Sequence, residues 1–175
     1  MSDLRYPIGK FQFDSEVTEE KRQAWIADLA EMPARLQAAV AGLSPEQLDT
    51  PYRPEGWTVR QVVHHLADSH LASYVRFRQA LTEEEPGITP YDQNRWAALP
   101  DARTAPVELS LTLLDALHQR WVLLLRSLSP ADFARTVRHP RLGVLSLEKL
   151  LNLYAWHGRH HTAQITSLRE RMGWA

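Results

Sequence analysis

Four stretches of the chain repeat apolar residues every three or four positions, and each is bounded by residues that start or stop a helix. That spacing buries one face of an α-helix, and no stretch shows the sustained alternation of a half-buried strand. The first stripe is Trp25, Leu29, Met32, Leu36 and Val40. Thr18 is placed to cap it, Glu19 and Glu20 suit the positive end of the helix dipole, and Gly42 ends it. Pro33 lies inside this stripe and is expected to kink it. The second stripe is Val59, Val62, Val63, Leu66, Ser73, Phe77 and Leu81, opened by the capping box Thr58-Val59-Arg60-Gln61. The third runs from about Val107 to Leu128, and the fourth from a Ser146 cap to about Met172.

Ser44-Pro45-Glu46-Gln47 and Ser129-Pro130-Ala131-Asp132 each read as the start of a short helix, with serine as cap and proline at the first helical position. The two halves of the chain therefore share a layout: long helix, Leu-Ser-Pro short helix, loop, long histidine-bearing helix. The expected architecture is an all-α four-helix bundle with short connecting helices, little or no sheet, and an extended N-terminal arm over residues 1–15. The arm's aromatics Tyr6, Phe11 and Phe13 must pack on the bundle or on a second subunit. His139-Pro140-Arg141-Leu142-Gly143 reads as a turn. A loop over about residues 84–106, with Tyr91 and Trp96, is long enough to suggest a functional segment. At 175 residues the chain is expected to form one domain, residues 1–175.

A net charge of −1 without long runs of either sign gives no reason to expect nucleic acid or a membrane surface as partner. The absence of cysteine excludes disulfides, zinc–thiolate sites and a cysteine nucleophile. No apolar run suits a signal peptide or a membrane span, so a cytoplasmic protein is expected.

Chemistry is concentrated in Trp156-His157-Gly158-Arg159-His160-His161. Histidines four residues apart lie on one face of a helix, one turn apart. On a wheel of 100° per residue, Leu147, Leu150, Leu151, Tyr154, Ile165, Leu168 and Met172 share one stripe. His161 lies about 40° and His157 about 80° from its centre, both towards the core, whereas His160 lies about 140° away and is expected outside. Buried imidazoles without partners are costly, and neutral imidazole is a common metal ligand. A third ligand is sought in His64-His65-Leu66-Ala67-Asp68-Ser69-His70. Periodicity nominates His70, yet His65 shares a face with Gln61, Ser69 and Ala72, a small and polar face suited to a cavity. The pattern leaves these two open.

His64 is expected to be solvated, and His118 and His139 to be structural or surface residues. Asp68 and Gln164 could orient the ligands, although Asp68 is rather expected at the surface, and Arg159 and Arg169 are expected on a solvated face. Three histidines match a catalytic zinc site with an open position rather than a closed structural one. The His-Glu-x-x-His motif is absent, which argues against a peptidase of that type.

With these residues in view the chain resembles the DinB/YfiT-like superfamily, specifically its YfiT branch. The carriers are Tyr6-Pro7-Ile8-Gly9, Asp49-Thr50-Pro51-Tyr52-Arg53, the run from Gly56-Trp57-Thr58 through His64-His65-Leu66-Ala67-Asp68-Ser69-His70, Tyr91, Trp156-His157 with His160-His161, and Arg171-Met172-Gly173-Trp174. The resemblance implies a four-helix bundle, a homodimer, and one divalent metal, zinc or nickel, held by three histidines. Position by position, those ligands fall on His65, His157 and His161. Members of the branch are labelled metal-dependent hydrolases, a label inferred from the site, and would act through metal-activated water. The branch also resembles bacillithiol S-transferases, which would hold a low-molecular-weight thiol on the metal and transfer it to an electrophilic small molecule. Thiol transfer is the favoured expectation, hydrolysis the alternative, and a non-enzymatic metal-stabilised binding or stress protein the third.

Overall fold

The computed structural model describes residues 3–174, so Met1 and Ser2 of the expected arm and Ala175 lie outside the described residues. The four long helices are present: α1 (Glu19–Val40), α3 (Val59–Thr82), α6 (Val107–Arg126) and α8 (Leu147–Met172). Between them stand the short helices α2 (Pro45–Leu48), α4 (Gln93–Ala97), α5 (Pro100–Thr104) and α7 (Pro130–Phe133). Local chemistry sets the ends. Thr18, Ser44, Thr58, Ser129 and Ser146 each accept a backbone N–H of the first turn, and reciprocal capping boxes close at Ser44/Gln47, Thr58/Gln61 and Ser129/Asp132. Gly173 ends α8 in the left-handed conformation at φ 64°.

The buried apolar residues form two clusters. One joins the first half of α1 (Trp25, Ile26, Leu29) to the second halves of α3 and α6 and the start of α8. The other joins the second half of α1 (Met32, Leu36, Val40) to the first halves of α3 and α6 and the end of α8. Hence α1 and α8 run in one direction and α3 and α6 in the other. With α3 packed beside α6 and parallel to it, the connection must return along the whole bundle. That is why the segment expected as a loop over 84–106 is long, and why it carries α4 and α5, which pack back onto α3.

The turn expected at His139–Gly143 closes a small antiparallel hairpin, β1 (Thr136–His139) with β2 (Gly143–Ser146), paired Thr136 to Ser146 and His139 to Gly143. Four-residue strands are too short for alternation to show. Pro33 stands inside α1, which is helical on both sides of it. The ring removes the N–H that would bond the Leu29 carbonyl, and that carbonyl finds a donor on another helix. No helix among the described residues is long and apolar enough to cross a membrane.

Candidate metal centre

A polar layer separates the two apolar clusters at mid-height. The helix α3 supplies His65 and His70 to it, α6 supplies His118, and α8 supplies His157, His160, His161 and Gln164. The three histidines aligned by the resemblance converge: one ring nitrogen from each of His65, His157 and His161 lies within 4.8 Å of the other two. The Nε2 atoms of His65 and His157 are 3.3 Å apart. A tetrahedral ion with metal–nitrogen bonds of about 2.0–2.1 Å holds its nitrogens roughly 3.3 Å apart, so the donor set fits such an ion. Burial pushes the His65 imidazole down to about 4, helped by nearby His160. Burial, then the neighbouring imidazoles, holds His157 and His161 well below the usual histidine value. All three are neutral near pH 7 and offer lone pairs rather than charges.

The rings are held by specific partners. The His161 Nδ1–H donates to the Gln164 side-chain oxygen at 2.8 Å, while the Gln164 amide nitrogen donates to the Arg5 carbonyl at 2.9 Å. Because that carbonyl can only accept, the amide is oriented, and the His161 Nε2 is left free for a cation. The N-terminal arm thus takes part in the site. It lies along α8, with Phe11 against Trp156, and Tyr6 and Trp156 against His160. Trp57 covers the His65 ring at a centroid distance of 4.7 Å.

His70 does not join the three, although its helical position favoured it. It is fully buried, with Nε2 3.1 Å from His157 Nδ1 and Nδ1 2.9 Å from His118 Nε2. The His118 Nδ1 lies 2.6 Å from the Leu29 carbonyl freed by Pro33. The importance of His118 was invisible in the sequence, since a lone histidine in an apolar stripe carries no sign of its partners. Two further expectations are corrected. His64 is buried rather than solvated, because Ser110 and the Ala105 carbonyl engage its two nitrogens. His160 is buried rather than outside, because the arm covers it. Of the two residues one turn from the aligned histidines, Gln164 bonds one of them, His161. Asp68 is half-buried, and its carboxyl is raised by that burial and by Asp101. Among the described residues it makes no hydrogen bond to a histidine. Arg159 is exposed and pairs with Asp28, and Arg169 donates to the Ala39 and Ala41 carbonyls near the end of α1.

Two cavities meet at this centre. One, of about 360 Å³, is bounded by Tyr6, Arg53, Trp57, His157 and His161. The other, of about 610 Å³, is bounded by Arg76, Tyr91, His139, Arg141, Tyr154 and His157. His157, with Gln93 and Asn94 of α4, belongs to both walls. The long return segment therefore divides the approach to the histidines. The larger cavity carries two arginines and one acid, Asp92, which caps α4; neither Arg76 nor Arg141 has a carboxylate in ion-pair range among the described residues. His139 Nδ1 accepts the backbone N–H groups of Arg141 and Leu142. Burial pushes the Tyr91 hydroxyl up to about 12, so it remains a donor.

Comparison with known proteins agrees with this geometry. Residues 28–165 match the DinB superfamily. A Bacillus mycoides (strain KBAB4) protein named "Putative metal-dependent hydrolase BcerKBAB4_2443" is 55% identical over 174 residues, covering 99% of this chain and all of that protein. YfiT from Bacillus subtilis, described as "a probable metal-dependent hydrolase with an unusual four-helix bundle topology", superposes with a TM-score of 0.95 at 51% identity, covering 98% of this chain and 99% of that one. The four-helix bundle protein TT2238 shares the fold at a TM-score of 0.58 and 22% identity, covering 83% of this chain and 98% of that one.

Proposed function

The chain belongs to the DinB superfamily, and from that membership we propose that it is a metal-dependent S-transferase, with His65, His157 and His161 as the ligands of one divalent cation. Zinc is the favoured ion and nickel the second. A cation held there supplies a Lewis acid that brings a thiol or water towards deprotonation near neutral pH.

The observation that carries transfer over simple hydrolysis is the pair of cavities sharing His157. Two cavities that share His157 let two reactants reach one centre from different sides, and α4 lies between them. In this reading the larger cavity takes the acidic co-substrate, a low-molecular-weight thiol bearing carboxylates, with Arg76 and Arg141 as its counter-charges. The smaller cavity, with Trp57 and Tyr6 on its walls, takes the electrophile. The thiol proton leaves to solvent, a sulfur–carbon bond forms, and the electrophile's leaving group departs with its bonding pair.

Hydrolysis is the second reading, favoured by the names given to the similar Bacillus proteins. Zinc-loaded protein is to be assayed on an aryl halide and on an ester panel, each with and without bacillithiol. Conjugate formed only with thiol supports transfer. Ester turnover independent of thiol replaces it with hydrolysis. The homodimer and the cytoplasmic location belong to the same proposal, and light scattering at twice the 20.1 kDa chain mass checks the dimer.

A further inference from the structure

Three imidazoles and one carbonyl form an unbroken line through the polar layer: the Leu29 carbonyl, His118, His70 and His157. We propose that His70 and His118 are positioning residues for the candidate metal centre, forming with the Leu29 carbonyl a one-way hydrogen-bond relay that fixes the tautomer of His157.

The polarity follows from the end of the line. A carbonyl oxygen can only accept, so His118 must carry its proton on Nδ1. In a neutral ring, Nε2 is then an acceptor, and the facing His70 Nδ1 must donate to it at 2.9 Å. His70 Nε2 in turn becomes an acceptor, and His157 Nδ1 must donate to it at 3.1 Å. That leaves the His157 Nε2 lone pair unprotonated, on the side where His65 Nε2 lies 3.3 Å away. The rings are neutral because they are buried, His70 wholly so and His118 at 1% exposure.

The origin of the relay lies in α1. A proline inside a helix is strongly disfavoured against alanine, and Pro33 lies well inside a helix of 22 residues. What it provides is an unbonded carbonyl at Leu29, aimed at α6, which His118 uses. Metal-ligating histidines are commonly oriented by an acceptor on their second nitrogen. Here that acceptor is another histidine, and the line ends on backbone. The relay links α1, α6, α3 and α8, so the ligand ring is referenced to all four long helices.

The inference rests on the metal-centre reading only in its last step, since the tautomers belong to the metal-free chain. The test is long-range nitrogen–proton NMR of the full metal-free chain labelled in histidine, at neutral pH, alongside zinc affinity by chelator competition. The expected result is the Nδ1–H tautomer at His118, His70 and His157. His118→Leu removes the acceptor for His70, so the tautomers of His70 and His157 become mixed and zinc affinity falls by about 10–100-fold. His118→Gln returns an acceptor and restores most of that loss, which a merely space-filling role would not predict. If His118→Leu does not fold, His70→Gln and His70→Leu replace it: the introduced amide oxygen accepts from His157 and its nitrogen donates to His118, so Gln keeps the His157 tautomer and Leu loses it, and an equal result in the two overturns the relay. An Nε2–H tautomer at any of the three in the unaltered chain overturns the relay. So does unchanged zinc affinity together with an unchanged His157 tautomer in folded His118→Leu. Correct tautomers in a chain that binds no zinc uphold the relay and overturn the metal-centre reading instead.

Discussion

Gly158 of α8 lies so close to Met32 of α1 that a Cβ at position 158 would stand 2.8 Å from the Met32 Cγ. Met32 is 3% exposed, and its Cγ is near the backbone, so it cannot swing clear. The glycine stands between His157 and the turn that ends in His161, and it sets how near the histidine helix approaches α1. Helix propensity alone favours alanine there by about 1 kcal/mol. Overpacking of this kind costs about 1–3 kcal/mol. Gly158→Ala is therefore expected to lower the thermal midpoint of the metal-free protein and to weaken zinc binding. A midpoint equal to or above that of the unaltered chain would show that the helices have room to spare.

Gln164 ties a candidate ligand to the N-terminal arm, so its two ends can be separated by mutation. Gln164→Leu removes these two bonds and the 3.2 Å contact of the amide nitrogen with His160 Nε2, and should weaken zinc binding by about 10–100-fold. Gln164→Glu keeps an acceptor for His161 Nδ1 but loses the donor to the Arg5 carbonyl. It should retain most of the affinity while amide exchange over residues 5–11 accelerates. Equal losses in the two variants would mean that the arm, rather than the orientation of His161, governs binding.

How much of this was legible in the sequence depends on the range of each interaction. Helix starts at Thr18, Ser44, Thr58, Ser129 and Ser146 are local chemistry, and the structure has each of them. The inward face of α8 likewise follows from periodicity. The choice between His65 and His70 did not. Both point into the bundle, and only the neighbouring helices show that His70 has both nitrogens engaged. His64 and His160 were misplaced for the same reason, since Ser110 and Tyr6 are distant in sequence. A wheel describes one helix in isolation, and a helix with neighbours on several sides has more than one buried face.

Acid should unfold the metal-free protein early. Burial holds His118 at about 4, with the Leu29 carbonyl opposing that shift, whereas an unfolded histidine titrates near 6.5. His65 is also held at about 4 by burial. The folded values are depressed, so this contribution to stability is complete above about pH 6.5 and is lost as pH falls towards 4. In that window the unfolded chain binds more protons, and each such group removes about 1.4 kcal/mol per pH unit. Chemical denaturation at several pH values should show stability level above neutrality and falling steeply below. Stability that is flat between pH 6.5 and 4 would contradict neutral buried histidines.

The arginines that line the larger cavity give a kinetic prediction. Arg76 donates to the Tyr154 hydroxyl at 3.2 Å and has no carboxylate partner in ion-pair range among the described residues. Arg76→Gln should raise the KM for a carboxylate-bearing thiol by roughly tenfold, a loss of about 1.4 kcal/mol in uniform binding, with zinc content unchanged. An unchanged KM for the acidic thiol would place that substrate elsewhere.

The most direct test of the central claim is metal analysis of protein purified without a histidine tag, on the unaltered chain and on His65→Ala, His157→Ala, His161→Ala and His70→Ala. About one zinc per chain is expected, lost in each of the first three variants. His70→Ala should still fill at saturating zinc, with weaker affinity. Stoichiometric metal retained in His157→Ala, or no metal in the unaltered chain, would contradict the three-histidine centre and both enzyme readings with it.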